Sequence, residues 1–253
     1  MSFLPVAILP PKSYPKRLPT ASRGRGIRSV GFLFARSVGS LFGGLFLVHL
    51  ALFLLTLWIG LVYSFLNPPI TSLMILRHVD YHYVIKPVKY LKLSQIPPFV
   101  ARMFIGVEDK TFYSNPGINI KAMEDAWKAN RRLGYAAYGA STITQQLTRS
   151  LFLDTKKSYL RKYTEILMSL TLNLVMSKQR QLELYLNYIE WGRGVFGIGQ
   201  AALQSYGKPL SKLTHDEIAR LAAVIVAPVR FNVHTLFQSP EMVRRYEFLR
   251  TVE

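Results

Sequence analysis

The sequence predicts a mainly α-helical protein, with one membrane-spanning helix near the N-terminus and a helical domain after it. Three observations support this fold class. An uninterrupted apolar segment covers residues 41–66, helical spacings and capping residues recur beyond residue 99, and runs with strand-like alternation are scarce. Cysteine is absent, which excludes disulfide bonds and thiolate metal ligands.

Residues 1–40 predict a basic cytoplasmic tail. Up to Arg36 they contain seven Lys or Arg, five prolines and no acidic residue, a composition that favours disorder. The net charge of the whole chain is +18, which indicates an anionic partner. Nucleic acid is one candidate partner. However, the tail runs directly into the apolar segment, and positive charge beside a membrane-spanning helix explains the composition of the tail more simply. We therefore expect no nucleic-acid partner.

The apolar segment, residues 41–66, predicts a transmembrane helix. Its 26 residues would span roughly 39 Å at about 1.5 Å each, enough for a hydrocarbon core of ~30 Å. Trp58 and Tyr63, near its end, suit the membrane interface. A cleaved signal peptide is the alternative, but the run is too long for one and no small-residue cleavage site follows. By the positive-inside rule the N-terminus is cytoplasmic and the rest of the chain lies outside the cytoplasm.

Residues 67–98 predict a membrane-proximal connector, in which alternation over residues 79–85 indicates one short strand. Residues 99–253 predict the helical domain. Within it Asn119 caps a helix closed by Gly134, and Thr214 with Glu217 forms a capping box for a helix through Ala227. Another helix carries an apolar stripe that we expect to be buried, made of Leu160, Tyr163, Leu167, Leu170 and Leu174.

An octapeptide at residues 139–146 contains almost only hydroxyl and amide side chains after an entry glycine. Such residues suit contacts with sugar hydroxyls or phosphate oxygens, because each one would need a partner if it were buried. The alternative is a helix N-terminus, with Ser141 or Thr142 as the cap and Gln145 or Gln146 completing a capping box. The two interpretations are compatible, since a helix N-terminus itself favours anions.

Glu108 follows the apolar run Met103–Val107 and precedes another acid, Asp109. A carboxyl group beside apolar surface tends to have a raised pKa, which suits a general acid or base. The alternative is an ordinary salt bridge to Lys110 or Arg102.

Four groups of residues with polar or charged positions occur in order along the chain. They are Glu108-Asp109-x-x-Phe112-x-x-Asn115-x-Gly117, Gly139-x-Ser141-Thr142-Ile143-x-Gln145-Gln146, Arg161-Lys162-x-x-Glu165 and Lys178-x-x-x-Leu182-Glu183-x-Tyr185-Leu186-Asn187. In this order they resemble the motifs of one family, the peptidoglycan glycosyltransferases. Tyr188–Gly192 resembles the monofunctional biosynthetic branch. The resemblance covers about Gln95 to Leu249, and four ordered motifs are far more specific than one. Arg244-x-x-x-Phe248-Leu249 resembles a last, weaker motif.

The resemblance implies a lysozyme-like helical glycosyltransferase domain that polymerises lipid II and releases lipid pyrophosphate. It implies two catalytic carboxylates, Glu108 as the base and Glu165 at the leaving pyrophosphate. The residues alone leave Glu165 open, because Arg161 and Glu165 also have the spacing of a surface ion pair. The implied substrate-binding residues are Asp109, Phe112, Asn115, Gly117, Ser141, Thr142, Gln145, Gln146, Arg149, Arg161 and Lys162.

The resemblance also implies the partners and the location. We expect lipid II, a growing glycan strand, the membrane and other proteins of cell-wall synthesis as partners, in the bacterial cytoplasmic (inner) membrane with the catalytic domain in the periplasm. No metal site and no obligatory cofactor are expected, because no His, Asp and Glu cluster has metal-ligand spacing. A divalent cation, Mg²⁺ or Mn²⁺, is expected only as an aid held largely by the pyrophosphate.

Three positions depart from the family pattern, which has His at position 115, Lys at 149 and Asn at 150. This chain has Asn115, Arg149 and Ser150. Asn cannot titrate as His does, whereas Arg keeps the positive charge with a different geometry. Asn115 and Ser150 keep one rival function open, a catalytically silent membrane scaffold that binds glycan. A second rival is a lysozyme-like enzyme that cleaves glycan, which would share the helical fold and also use a glutamate. The second would have little use for Arg161 and Lys162, because no pyrophosphate leaves.

Overall fold

The computed structural model describes residues 25–135, 139–156 and 158–252, and it confirms the predicted mainly α fold. The chain divides into two compact units, residues 1–49 and 50–253. The regular elements of the described residues are α1 (Arg25–Phe65), α2 (Ser72–Val79), α3 (Pro98–Glu108), α4 (Ile120–Leu133), α5 (Ile143–Phe152), α6 (Tyr159–Val175), α7 (Lys178–Tyr188), β1 (Glu190–Gly192), β2 (Val195–Phe196), α8 (Ile198–Tyr206), α9 (His215–Val224) and α10 (Pro240–Arg250).

Helix α1 contains the predicted membrane-spanning segment. Within the described ranges it is the one helix long and apolar enough to cross a membrane, over Gly39–Phe65. Its described part, Arg25–Phe65, starts before the predicted segment 41–66 and ends one residue before the end of that segment. The part of the predicted basic tail before Arg25 lies outside the described residues.

Helix α5 lies at the centre of the second unit, where it packs against α2, α6 and α7. Its apolar residues Ile143 and Leu147 are fully buried, as are Leu182 and Leu186 of α7. Helices α9 and α10 pack against each other, and α9 also contacts α3. The second half of the octapeptide, residues 143–146, is the first turn of α5 and is therefore held by this buried helix.

The predicted helix ends after residue 99 are largely confirmed. Asn119 accepts a hydrogen bond from the amide of Ala122 at the start of α4, and Gly134 closes that helix with φ of 75°. Thr214 and Glu217 form the predicted capping box, although α9 ends at Val224, before the predicted Ala227. These signals are local in the sequence, which is why they could be read without knowledge of the tertiary structure.

The short strand predicted over residues 79–85 is wrong. Thr71 caps α2 by accepting from the amide of Met74, and the helix continues through Val79. Tyr81 and Tyr83 flank the guanidinium of Arg77, with ring centroids 5.0 and 6.0 Å from it, instead of alternating across a sheet. The strands of the described residues are β1 and β2, which pair as one antiparallel hairpin.

The apolar stripe predicted to be buried on α6 is also wrong. Leu160, Tyr163 and Leu174 are exposed, with 76%, 49% and 72% of their surface accessible. The buried face of α6 instead carries Glu165, Met168, Ser169, Thr171 and Leu172. Helical spacing identified an apolar face correctly, but this face does not pack against the helices of the domain.

The connector is fixed to α7 by side chains of that helix. Asn187 donates to the carbonyl of Leu91 (2.8 Å) and accepts from its amide (2.9 Å). Glu183 accepts from the amide of Leu93 (2.6 Å) and the hydroxyl of Tyr90 (2.5 Å). These four hydrogen bonds hold residues 90–93 against α7, where side chains of the helix replace the partner strand of a sheet.

Candidate active site

Glu108, the last residue of α3, contacts side chains from two other helices. The amide Nε2 of Gln146 donates to its Oε2 at 2.9 Å, and Arg245 of α10 donates through Nη2 to its Oε1. The side chain of Glu108 is 11% exposed. Its ion-pair partner is therefore Arg245, and not Lys110 or Arg102 as the alternative reading of the sequence had it.

Tyr185, which is fully buried on α7, contacts Gln146 on the side away from Glu108. Its hydroxyl donates to Oε1 of Gln146 at 3.3 Å, so Gln146 lies between Tyr185 and Glu108. Burial raises the pKa of Tyr185 well above its usual value, and the negative charge of Glu108 adds to the effect. The phenol therefore stays protonated and orients the Gln146 amide so that its NH₂ group points to Glu108.

Asp109 is buried, and its carboxylate joins three segments of the chain. It accepts from Asn115 Nδ2 at 3.0 Å, from Thr111 Oγ1 at 3.1 Å and from the amide of Ile143 at the start of α5 at 3.2 Å. The carboxylate therefore lies at the N-terminus of α5, where a negative charge is stabilised. Although Asp109 borders a small cavity with Glu108, its oxygens are already occupied by protein donors.

Asn115 occupies the position where the family pattern has His. Its Nδ2 donates to both oxygens of Asp109, and its Oδ1 accepts from the amide of Gly117 (2.9 Å) and from Lys178 Nζ (3.3 Å). Burial lowers the pKa of Lys178, while the negative charge of Asp109 partly opposes the effect. Asparagine thus fills this position with complete hydrogen bonding and needs no titratable group.

Gly117 and Thr142 bring the first two motifs together. Thr142 Oγ1 donates to the carbonyl of Gly117 at 2.7 Å and accepts from the amide of Gln145, and this makes Thr142 the cap of α5. Gly117 has φ of 102°, and a Cβ there would lie 2.7 Å from the carbonyl oxygen of Ser169. Glycine is needed here both for its conformation and for the close approach of α6.

Glu165 is fully buried on α6 and is paired with two cations of the same helix. Its Oε2 accepts from Arg161 Nη1 at 2.5 Å, and its Oε1 accepts from Lys162 Nζ at 2.6 Å. Lys162 Nζ also donates to Ser141 Oγ at 3.0 Å, linking α6 to the octapeptide. The pair is therefore buried, unlike the surface ion pair that was the alternative from the sequence, and Glu165 orients both cations.

Three adjoining cavities form a cleft beside these residues. One of about 260 Å³ is bordered by Glu108, Ser141 and Thr142. A second, of about 540 Å³, shares Glu108 and Ser141 with the first and is also bordered by Gln146, Arg149 and Arg245. A third, of about 340 Å³, shares Gln146 and Arg149 with the second and reaches Arg161 and Arg77. The cleft thus leads from a carboxylate to a group of arginines.

Five of the expected substrate-binding residues are not among the residues that border this cleft. One is Lys162, whose Nζ pairs with Glu165 and donates to Ser141. The other four lie in the interior or support it. Phe112 and Gln145 are fully buried, Asn115 is buried with its amide bonded to Asp109, and Gly117 supports Thr142. Lys178 Nζ lies 4.8 Å from the ring centroid of Phe112, so the aromatic ring stabilises the ammonium group through a cation–π interaction. These residues support the side chains that border the cleft.

Arg245, which contacts Glu108, was not identified from the sequence. The last motif drew attention to the preceding residue, Arg244, which is exposed. The helical spacing of Met242, Tyr246 and Leu249, all buried, could have found it. Position 245 lies three residues after Met242 and four before Leu249, so it faces the domain, whereas Arg244 lies off this face.

Among the described residues, none of the side chains near Arg161 and Lys162 forms a group that could bind a metal ion. No group of three or more His, Asp or Glu among them could hold an ion. Both oxygens of Glu165 accept from protein cations, so its carboxylate does not fit the role of a metal ligand in this arrangement. A divalent cation at the pyrophosphate stays a prediction.

The helical domain, the apolar helix long enough to cross a membrane and the cleft that joins a carboxylate to a cation cluster together indicate an enzyme. Residues 82–250 match the family model described as Transglycosylase. The chain is 42% identical over 156 residues to a biosynthetic peptidoglycan transglycosylase of Ralstonia nicotianae, covering 59% of this chain and 67% of that one. It is 38% identical over 203 residues to the protein of the same name from Burkholderia vietnamiensis, covering 78% and 80%.

The chain therefore belongs to the transglycosylase family and is a glycosyltransferase. The lysozyme-like helical domain that the motifs implied is the fold of this family. The departures at positions 115, 149 and 150 do not remove it from the family.

Proposed function

We propose that this glycosyltransferase polymerises lipid II into the glycan strands of peptidoglycan and releases undecaprenyl pyrophosphate. The main support for the proposal is that one cleft runs from Glu108 past Gln146 and Arg149 to Arg161. Polymerisation requires a base at one end of the reacting bond and positive charge at the other. A glycan-cleaving enzyme would have no diphosphate to place against the arginines.

In the proposed reaction, Glu108 accepts the proton of the acceptor sugar's 4-hydroxyl. That oxygen forms a bond to the anomeric carbon of the growing chain, and the bond from this carbon to the lipid diphosphate breaks. Arg149 and Arg161, which border the third cavity, receive the departing negative charge. Gln146 and Arg245 hold the Glu108 carboxylate in place for the proton transfer.

Glu165 acts in this scheme through the cations that it binds. Because it is fully buried and paired with Arg161 and Lys162, it fixes two long side chains that would otherwise lose rotational freedom on binding diphosphate. A divalent ion, if it takes part, would be held mainly by the diphosphate, and no step above depends on one. EDTA should therefore slow polymerisation without abolishing it.

We further propose that α1 is a single-pass anchor in the bacterial inner membrane, with its N-terminus in the cytoplasm and the catalytic domain in the periplasm. The basic, acid-free sequence before the apolar segment supports this orientation. An alkaline phosphatase reporter, which is active only after export, should be active when fused after Glu253. A second reporter that is active only in the cytoplasm should be inactive at that position, and its activity there would contradict the orientation. Other proteins of cell-wall synthesis are proposed as partners.

The test of the function is polymerisation of labelled lipid II by the purified full-length chain, with Glu108→Gln as the comparison. Loss of one general base lowers the rate by about 10²–10⁴-fold, so the variant should form almost no polymer while keeping its fold. If the unchanged protein forms no polymer, the silent-scaffold function is favoured. If it cleaves preformed glycan, the lysozyme-like function is favoured.

A further inference from the structure

Arg77, in the last turn of α2, is paired with Glu190, a carboxylate that the proposed reaction does not use. Arg77 Nε donates to both oxygens of Glu190 at 2.9 Å, and Nη2 donates to its Oε2 at 2.6 Å. The two side chains are only 11% and 5% exposed. Burial raises the pKa of Glu190, and the pairing with Arg77 opposes this effect. The pair is therefore a shielded contact between α2 and β1 in which each partner fixes the other.

Two tyrosines of the connector enclose the same guanidinium. The ring centroids of Tyr81 and Tyr83 lie 5.0 and 6.0 Å from its central carbon, within the range of cation–π attraction. His82, between them, has φ of 54°, a left-handed conformation that is uncommon for residues other than glycine. The backbone thus adopts an unfavourable turn at the point where both rings reach Arg77. Strain of this kind occurs where a side chain is held for function.

Arg77 and Glu190 both border the third cavity of the cleft, together with Arg149 and Arg161. An unpaired carboxylate at this place would repel an anion. Among the described residues, however, the side-chain hydrogen bonds of Arg77 all go to Glu190 and use Nε and Nη2, which leaves the N–H groups of Nη1 for a ligand. Glu190 therefore fixes the plane of the guanidinium without using all of its donors.

We propose that Arg77 is a further ligand of the substrate's diphosphate and that Glu190 is the residue that positions it. The inference rests on the proposed function and adds a contact from the connector, since Arg77 lies before the residues 82–250 that match the family. Arg77, Arg149 and Arg161 belong to α2, α5 and α6, so the diphosphate meets positive charge from three helices. An arginine already held in place loses little rotational freedom on binding.

The test measures the affinity of the full-length protein for inorganic pyrophosphate by titration calorimetry. Arg77→Met should raise the dissociation constant about tenfold or more, because a charged hydrogen bond to the ligand is lost. Arg77→Lys should recover part of the affinity, since it keeps the charge without the planar geometry. An unchanged dissociation constant in Arg77→Met would overturn the proposal.

The double variant Arg77→Met/Glu190→Gln removes an ambiguity, because Arg77→Met alone leaves a buried carboxylate unpaired. The double variant keeps the net charge of the cleft and leaves no unpaired charge, so it is also the variant expected to fold best, and thermal unfolding checks this. It should still bind pyrophosphate about tenfold more weakly than the unchanged protein. Recovery of the original affinity in the double variant would overturn the proposal, because the unpaired Glu190 would then explain the whole effect of Arg77→Met.

Glu190→Gln alone tests the positioning role, because the two possible effects have opposite signs. If Glu190 only adds negative charge to the cleft, its neutralisation strengthens pyrophosphate binding. If Glu190 holds Arg77, the weaker hydrogen bonds of the amide release the guanidinium and binding falls, by about threefold or more. Stronger binding would overturn the positioning role.

Arg220 supplies a matched control outside the cleft. Its Nε donates to Asp216 at 2.8 Å, and the ring centroids of Phe237 and Tyr246 lie 5.1 and 5.5 Å from its guanidinium. It is not among the residues that border the three cavities of the cleft. Arg220→Met should leave the dissociation constant within about twofold of the unchanged protein. An equal loss of affinity in Arg220→Met and Arg77→Met would overturn the proposal.

Two further arms separate the source of the phosphate and the proposed function. Glycerophosphoglycerol, the water-soluble headgroup of phosphatidylglycerol, should bind the unchanged protein and the double variant equally; a loss as large as that for pyrophosphate would assign Arg77 to phospholipid headgroups and overturn the proposal. Polymerisation of lipid II is measured in parallel. If the unchanged protein makes no polymer but the double variant binds pyrophosphate more weakly, the proposed function fails and the diphosphate contact is supported. If polymer forms and the two proteins bind pyrophosphate equally, the inference fails and the proposed function is kept.

Discussion

Replacing Arg245 by methionine tests whether the ion pair with Glu108 is part of the catalytic arrangement. Arg245 is 22% exposed and Glu108 11%, so the pair is largely shielded from water. A hydrogen bond to a charged group in such a position contributes about 1.5–3 kcal/mol. Since ~1.4 kcal/mol corresponds to a factor of ten, loss of the bond should reduce kcat by roughly 10- to 150-fold.

The adjacent arginine supplies the control. Arg244→Met removes the same charge from the same helix, but Arg244 is exposed and Glu108 pairs with Arg245. Its kcat should stay within about threefold, because an exposed charge contributes little. Single-turnover polymerisation of lipid II gives kcat, and a parallel measurement of lipid II binding separates positioning of the base from loss of affinity.

Two results would refute the reasoning. If Arg245→Met and Arg244→Met reduce kcat equally, the effect comes from the general positive charge of α10 and not from the contact with Glu108. If Arg245→Met is more active than the unchanged protein, the arginine restrains the base and does not help it. Arg245→Lys should recover part of the activity, because it keeps one charged donor without the planar geometry.

Three further predictions concern other parts of the molecule. Glu165→Gln should lower polymerisation by about 10²-fold, measured in single turnover, because Arg161 and Lys162 lose charged hydrogen bonds; an effect below threefold would contradict its role. Asn115→Ala should lower the free energy of unfolding by about 1–3 kcal/mol in thermal or denaturant unfolding, because buried Asp109 loses a donor; an unchanged stability would contradict this. Gly60→Leu should lower the rate of lipid II polymerisation by the full-length protein, because a Cβ there would already lie 2.9 Å from Val175 and 3.0 Å from Leu172, whereas Gly44→Leu should not, because a Cβ at Gly44 meets nothing within 4 Å. Equal rates in the two glycine variants would show that close packing of α1 is unnecessary.

The parts of the fold that the sequence predicted well are those determined by neighbouring residues. Caps such as Asn119 and Thr214 satisfy amides only three residues away, so the signal and the structure lie within one turn. The strand at residues 79–85 was predicted wrongly because the same residues contact Arg77, a tertiary interaction that alternation does not reveal. The stripe on α6 was misassigned because helical spacing identifies an apolar face without specifying what covers it.

The site was predicted in its parts but not in its connections. The motifs led to Glu108, Gln146 and Glu165, yet nothing in the sequence paired Glu108 with Arg245, which lies on α10 far along the chain. Burial of Phe112 and Gln145 was equally hidden, because a motif marks a residue as necessary without saying whether it touches a ligand. The spacing of residues along the chain could not reveal the Glu108–Arg245 pair or the burial of Phe112 and Gln145, because these depend on how separate helices pack.

The two glutamates differ in burial and in partners, and the difference fits separate tasks. Glu108 borders two cavities of the cleft, where a substrate hydroxyl can reach its carboxylate. Its partners are one neutral amide, from Gln146, and one cation, Arg245. Glu165 is fully buried and has one cation on each oxygen, which leaves it without access to a sugar. A general base must meet the proton that it accepts, whereas a residue that orients cations needs only to reach them. The difference in burial therefore supports the proposed roles, with Glu108 as the base and Glu165 behind the cations that are proposed to receive the diphosphate.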